Sequence, residues 1–272
     1  MDKKITKSED LQRIENEILL FIKKICEENH ISYFLAAGTV LGAVRHKGFI
    51  PWDDDVDLYM FREDYNRFRE AMKGEADTPY KLLYIDTEPN YTLPLPKVID
   101  TRTVLTQFRQ REKMQLGVYV DVFILDNVPD EEKERERYLR KVLFLSKLWS
   151  AAQNKDNDVG VKGIKIFLKR IAKRLLWLVG PRYFAEKLDV LAQKYNNTQT
   201  KLCGNMTYST NLMEAFVPKT MYGKGVMLEF EGAMYQGPEK TEEYLRHFYG
   251  DYMQLPPIEQ RVSKHHFEAY YV

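Results

Sequence analysis

Asp55 and Asp57 stand two residues apart, with Asp53 and Asp54 just before them, in a stretch otherwise rich in apolar groups: Phe49, Ile50 and Trp52 on one side, Leu58, Tyr59 and Met60 on the other. On an extended strand, residues i and i+2 share a face, with Cα atoms roughly 7 Å apart. Carboxylates so placed can converge on one cation. Hard Mg²⁺ takes carboxylate oxygens, keeps several waters and bridges to phosphate, and Mn²⁺ is the alternative ion. Clustered negative charge on a half-buried strand is unfavourable without such a cation. The competing reading is a solvated acidic loop. Upstream, the apolar run Tyr33 to Leu35 reads as a short strand that Gly38 breaks. Thr39 is expected to N-cap a short helix over Val40 to His46, with Gly48 at its C′ position and Pro51 forbidding continuation. Backbone N–H groups at a helix N-terminus attract anions. The order is therefore strand, phosphate-binding turn at Gly38 and Thr39, short helix, then a metal-binding strand.

Gly117 to Leu125, G-V-Y-V-D-V-F-I-L, is the strongest strand signal in the chain, and it carries one carboxylate in its middle, Asp121. An unpartnered carboxylate there would be costly, so Asp121 needs a partner, and a shared metal would supply one. Asp126 falls just beyond and is expected to shape a turn with Asn127. Lys97, after Pro94 and Pro96, reads equally as a phosphate contact or as a solvated lysine at a strand end.

Four separated stretches are similar to known signatures. G-T-V-L-G-A-V-R-H-K-G-F-I-P-W-D-D-D-V-D-L closely resembles the signature of the LicD family, whose distant relatives include the fukutin-type transferases. K-V-I-D-T-R-T, the Asp121 strand and the tail Y-G-D-Y-M-Q-L-P-P-I-E-Q-R-V-S-K-H extend the resemblance over about residues 30 to 265, weakest in the helical middle. The resemblance implies an α+β, nucleotidyltransferase-like mixed sheet flanked by helices, with a helical insertion and a short C-terminal α/β segment. It implies that Asp121 joins Asp55 and Asp57 in a three-carboxylate metal site, and it supports Lys97 as a phosphate contact. Such a site suits phosphoryl or nucleotidyl transfer. Gly38 and Thr39 would bind a diphosphate, and Asp121 would hold a second metal or act as base for a hydroxyl. Arg45 and Lys47 would stabilise negative charge or simply solvate the helix end. The expected donor is CDP-choline or a related CDP-alcohol, and the acceptor a sugar hydroxyl on a lipid-linked surface-glycan or teichoic-acid precursor, with CMP leaving. Trp52 would form part of an aromatic cage for a quaternary ammonium, or would pack under the sheet. Arg261 and His265 fall on the tail motif without an assigned role. His265 and His266 suggest metal, against the commoner explanation of a surface pair. Two other functions compete: a nucleotidyltransferase acting on a small molecule, and a catalytically silent scaffold that binds nucleotide or membrane.

The elements around these residues follow from periodicity. An amphipathic helix is expected over residues 9–29, capped by Ser8, and another from Arg62 to Met72, stopped by Gly74. Strands are expected at Tyr80 to Asp86, Thr92 to Ile99 and Thr103 to Thr106, then a charged helix from Asp130 to about Ala152. Residues 161–180 combine an apolar stripe with Lys162, Lys165, Lys169, Arg170, Lys173 and Arg174. Their central charges argue against a membrane span and leave an in-plane helix on an anionic membrane, or a core helix with a basic outer face. A helix from Tyr183 to Tyr195, strands at Met206 to Ser209 and Val226 to Glu229, and a helix from Glu242 to Phe248 complete the expectation. The 272 residues divide into a catalytic core over 1–128, a helical region over 129–200, facing membrane or acceptor, and a C-terminal segment over 201–272 packing on the core. With 41 basic and 40 acidic residues the net charge is +1, so no nucleic-acid partner is expected. Cys26 and Cys203 match no metal spacing and read as free thiols of a reducing compartment. The charged N-terminus lacks an apolar leader. A cytoplasmic protein, peripheral at the inner face of the cell membrane, is expected.

Overall fold

The computed structural model describes residues 3–107, 116–153, 174–208, 215–262 and 267–272. The expected α+β fold is present, built on a mixed sheet with helices around it. Its central strand is β6 (Leu116–Val128), whose Val118, Val120, Val122 and Ile124 are buried on one face. β5 (Lys97–Gln107) runs antiparallel along one edge of β6, and β3 (Asp57–Phe61) runs parallel along the other. Outside β5 lies β11 (Phe267–Tyr271), then β1 (Lys3–Ile5), so both chain ends join the same sheet. β2 (Phe34–Leu35) flanks β3, β4 (Tyr80–Leu83) pairs with part of β5, and β7 (Leu202–Gly204) pairs with the end of β6 and with β8 (Phe216–Pro218).

Helix α1 (Ser8–Glu28) buries Leu11, Ile14, Ile18, Leu19, Ile22 and Ile25, the stripe its spacing dictates. Ser8 is its first helical residue rather than its cap. Helix α3 (Arg62–Met72) packs Tyr65 and Phe68 into the same core. A second cluster forms where α4 (Glu132–Gln153) meets α6 (Pro181–Ala192), around Tyr138, Leu139, Val142 and Leu188. Between them, residues 174–179 are helical (α5). The hairpin of β9 (Val226–Phe230) and β10 (Ala233–Gly237) stands apart from the main sheet, and α7 (Thr241–Tyr249) follows it, ending at Gly250.

Several expectations are corrected. The strand expected from Thr92 begins only at Lys97, because Pro94 and Pro96 cannot donate to a ladder. It then continues through Thr103 to Thr106 as one strand, with a register irregularity between Asp100 and Leu105. The strand from Tyr80 ends at Leu83. The one expected at Met206 lies earlier, at Leu202–Gly204, leaving Met206 buried in the second cluster. Strands β1, β8, β10 and β11 were not expected. The basic run from Lys162 to Lys173 and His265 and His266 lie outside the described residues.

Candidate active site

The pairing register assembles the site. Lys97 of β5 and Asp57 of β3 both stand opposite Asp121 of β6, one from each side. Three adjacent strands thus place Lys97, Asp121 and Asp57 in one row on one face, neighbours about 4.8 Å apart. The Lys97 ammonium ion-pairs with Asp121 and lies 3.4 Å from the ring centroid of Tyr119, two residues back along β6. Lys97 is 3% exposed, so the solvated-lysine reading fails.

Asp57 is the first residue of β3, so Asp55 sits before the strand rather than on it, and the shared-face argument for the pair does not apply. The two remain coupled through their charge. Burial, then the charges of Asp55, Asp121 and Asp53, hold the Asp57 carboxyl well above the usual carboxylate range, with Lys97 pulling the other way. Asp54 is buried beside them.

Helix α2 (Ala37–His46) delivers the other side of the site. Its N-cap is Ala36, and Thr39 lies within the first turn instead of capping it. The Thr39 hydroxyl accepts the Asp57 backbone N–H at 2.9 Å, tying α2 to the start of β3. A Cβ at Gly38 would lie 2.7 Å from Oδ2 of Asp53, so a larger residue there would displace that carboxylate. The Ala37 N–H donates to the Tyr244 hydroxyl of α7 at 2.9 Å. At the other end the left-handed residue is Lys47, φ 61°, not Gly48. Gly48 makes room for Glu231 of the β9–β10 turn, whose Oε1 an added Cβ would overlap. Lys47 is exposed, and its carbonyl accepts the Glu231 N–H at 2.9 Å. Its described contacts are with that turn and not with the carboxylates.

Trp52 is half-buried against the core. The Arg261 guanidinium lies over its ring at 5.5 Å, and the His46 ring meets it edge-on at 6.3 Å. Arg45 donates to the Tyr252 carbonyl at 2.9 Å.

The sequence reading missed Glu15. It lies on the buried stripe of α1, 4% exposed, and its Oε2 has no hydrogen-bond partner. Burial, followed by the charges of Asp55, Asp54, Asp53 and Asp57, drives its carboxyl well above the usual range. One turn earlier, Gln12 donates to the Asp53 carbonyl at 2.8 Å, fixing this face of α1 against the acidic loop. The signal was available: Glu15 falls in register with Leu11, Ile18 and Ile22, where a charge does not belong.

Asp126, expected in a turn, is a buried residue of β6. Arg62 of α3 grips it with two hydrogen bonds of 2.8 and 2.7 Å. Burial alone would lower the Arg62 pKa, but the hydrogen bond to Asp126 and the charges of Asp126 and Asp189 raise it.

Among the described residues, no three His, Cys, Asp or Glu side chains gather closely enough to hold a metal ion. The donor chemistry nevertheless fits a hard cation. Every candidate ligand is a carboxylate, and burial together with neighbouring like charge holds the Asp57 and Glu15 carboxyls above the usual range.

A mixed sheet flanked by helices, with carboxylates on two parallel neighbours beside the N-terminus of α2, is consistent with a nucleotidyltransferase-like fold. The model of the LicD/FKTN/FKRP nucleotidyltransferase domain matches residues 30–133. The lipopolysaccharide cholinephosphotransferase LicD of Haemophilus influenzae is 34% identical over 280 aligned positions, which cover 98% of this chain and 99% of that protein. The chain belongs to the LicD family, and it is a transferase. An uncharacterized protein of Rickettsia prowazekii is 29% identical over 107 residues, covering 39% of this chain and 37% of that one. Human ribitol 5-phosphate transferase FKRP is 36% identical over 64 residues, covering 24% of this chain and 13% of that protein.

Proposed function

We propose that the protein transfers phosphocholine, or a related phospho-alcohol, from a CDP-linked donor to a sugar hydroxyl of a cell-surface glycan precursor, releasing CMP. Full-length similarity to a lipopolysaccharide cholinephosphotransferase supports phosphocholine as the group and a lipopolysaccharide-type glycan, rather than teichoic acid, as the first acceptor to test. The observation that carries the reading is the row Lys97, Asp121 and Asp57 across three strands, with Asp55 beside it. Asp55, Asp57 and Asp121 would hold a divalent ion, Mg²⁺ first, which when bound neutralises phosphate oxygens. Lys97 orients the Asp121 carboxylate and adds positive charge beside it. Thr39, through the Asp57 N–H, fixes α2 against β3, so that Gly38 stays beside the carboxylates. Incubating the protein with Mg²⁺, a glycan acceptor and CDP-choline, CDP-ethanolamine or CDP-ribitol, and following CMP, tests the reading. Release from CDP-choline is expected. Pyrophosphate as product from a nucleoside triphosphate would favour the small-molecule nucleotidyltransferase, and no release from any donor would favour the silent scaffold.

The acceptor's lipid carrier would bring the enzyme to a membrane. No helix of the described residues is long and apolar enough to cross one. The helical residues 174–179 expose Leu175, Trp177, Leu178 and Val179, at the end of the basic run. We infer that this segment docks in the plane of an anionic surface, with the region 129–200 facing membrane or acceptor. Cosedimentation with anionic vesicles should fall as salt rises, and equal binding to neutral vesicles would reject an electrostatic docking.

A further inference from the structure

Arg45 and Arg261 come from distant parts of the chain and approach one another through Trp52 and His46: Arg261 lies over the Trp52 ring, and Arg45 contacts His46, which touches the same ring. Arg45, in the last turn of α2, is held by the Tyr252 carbonyl at 2.9 Å, and its Nε lies 3.4 Å from Nδ1 of His46. Arg261 is held by the Pro256 carbonyl at 2.9 Å and stacks over Trp52 at 5.5 Å. His46 contacts the same Trp52 ring at its edge. One loop, Tyr252 to Arg261, thus supplies two neutral carbonyls and the second guanidinium. Neither arginine has a carboxylate within ion-pair distance among the described residues, although acidic residues are as numerous as basic ones in this chain. The two repel each other: burial, then the charge of Arg261, lowers the Arg45 pKa. Dipole compensation at the end of α2 accounts for one cation there and not for a second drawn in from residue 261.

The pair also borders the acidic row, since Trp52 beneath Arg261 directly precedes Asp53 in the chain. Tyr249 of α7 feels both, since its hydroxyl acts on Arg45 and, after burial, its own pKa is raised by Asp57, Tyr59, Asp53 and Asp55. Two guanidiniums oriented by carbonyls and by a ring face are pre-set for phosphate oxygens, which their planar forks bind bidentately.

We propose that Arg45 and Arg261 form an anion clamp that grips the diphosphate of the donor at the edge of the acidic row, with Trp52 serving as the platform that orients Arg261. The inference rests on the proposed function for the identity of the donor. Binding of CDP to the full chain, measured by calorimetry without turnover, tests it. Arg261→Gln and Arg45→Gln should each weaken CDP binding at least tenfold while leaving the weaker binding of uncharged cytidine unchanged. Inorganic pyrophosphate should compete with CDP in the wild type and lose that ability in both variants. Trp52→Leu should weaken CDP less than Arg261→Gln does. Thermal melts check folding; should a Gln variant melt early, Arg261→Lys, which keeps the charge but not the fork, should still bind CDP more weakly than wild type. CDP affinity within twofold of wild type in the Arg261 variants overturns the clamp. So does equal weakening of cytidine and CDP, a defect confined to the acceptor's KM, or a wild type that binds neither CDP nor pyrophosphate. Arginine-dependent CDP binding without CMP release from CDP-choline would leave the clamp standing and sink the proposed donor reaction.

Discussion

Asp121 and Asp126 lie five residues apart on the same strand, on opposite faces of the pleat, and they live in opposite electrostatic conditions. Around Asp126 the ledger closes. Arg62 binds it twice, Asn196 donates to it at 2.6 Å, and the spare Arg62 nitrogen reaches Asp189 at 2.8 Å. Asp189 in turn accepts the Tyr84 hydroxyl at 2.7 Å and Gln193 at 2.8 Å. Around Asp121 negative charge accumulates: Asp53, Asp54, Asp55 and Asp57 crowd together, Glu15 is added from α1, and both Glu15 and Asp57 are pushed toward their protonated forms. The first cluster joins β6, α3 and α6 and needs nothing further. The second gathers like-charged carboxylates, which suits a cationic guest. Burial alone does not separate the two kinds of carboxylate; the sign of the charge gathered around each does.

Breaking the closed cluster should produce the largest effect. Asp126→Ala leaves the Arg62 guanidinium buried with half its partners gone, and removing one member of such a pair costs about 3–5 kcal/mol. Urea denaturation should show a loss of that size, while CMP release per folded molecule stays near wild type. A loss under about 1 kcal/mol would mean that the network is not what joins α6 to the sheet.

The open cluster should respond in the reverse sense. Asp57→Ala and Asp55→Ala remove like charge from a crowded site, so melting temperature should hold or rise. Turnover should fall at least about 10–100-fold, the loss typical even of groups that only support a metal ligand. Asp121→Asn should lower turnover likewise but, unlike the other two, should also cost stability, because it leaves the buried Lys97 ammonium without its ion pair. Near-normal turnover in either of the first two variants would remove the proposed ligation, and a cooperative loss of stability would make the acidic loop structural.

The difference between the clusters also explains what could be read from the sequence. Asp55, Asp57 and Asp121 stood out because each is a carboxylate in an apolar run, and the β-branched and aromatic residues around Asp121 placed it on a strand correctly. Their meeting with Lys97 depends on register, which is long-range information: only the pairing of β5 and β3 on either side of β6 makes a row of residues 57, 97 and 121. Asp126 was misread because local turn propensity at Asp-Asn was weighed without Arg62, which lies 64 positions away. Thr39 was read as a cap because the helix was started too late; its real partner, the Asp57 N–H, is set by tertiary packing. Glu15 was legible in principle, as a charge in a stripe otherwise apolar, but a stripe that regular invites the reading of a plain core helix.

Glu15 offers a sharper test of the imbalance. Its carboxyl is raised on folding, so the native state binds more protons than the unfolded chain once pH exceeds the ordinary carboxylate range, and stability must fall as pH rises from there. Without divalent ions, the wild type should therefore melt progressively lower as pH climbs through weakly acid to neutral. Glu15→Gln should flatten that slope and melt higher at neutral pH. Adding Mg²⁺ should raise the wild type more than the variant if Glu15 contributes to the field that holds the ion. A slope unchanged by Glu15→Gln would show that its carboxyl is not coupled to the acidic loop.

The smallest expected effect lies in the backbone that enters the open cluster. Ala37, the first residue of α2, has φ 42°, a conformation that costs a non-glycine residue about 1–2 kcal/mol. No residue of the closed cluster has a positive φ. The strain is held by two hydrogen bonds: the Ala37 N–H on the Tyr244 hydroxyl, and the Ala36 N–H on the Asp57 carbonyl at 2.9 Å. Together they aim the turn at Gly38 toward Asp53 and Asp57. Ala37→Gly relieves the steric cost but gives the unfolded chain more freedom, a penalty of about 0.5–1 kcal/mol, so the net gain should be no more than about 1 kcal/mol. That corresponds to a rise of about 2 °C in melting temperature. If the strained turn is part of how the site is held ready, the same change should lower turnover even as it stabilises the fold, because glycine lets the turn leave the conformation that alanine is forced to keep. A variant that is more stable and equally active would show that the strain at Ala37 is incidental to packing against α7, and would confine the functional imbalance to the carboxylates themselves.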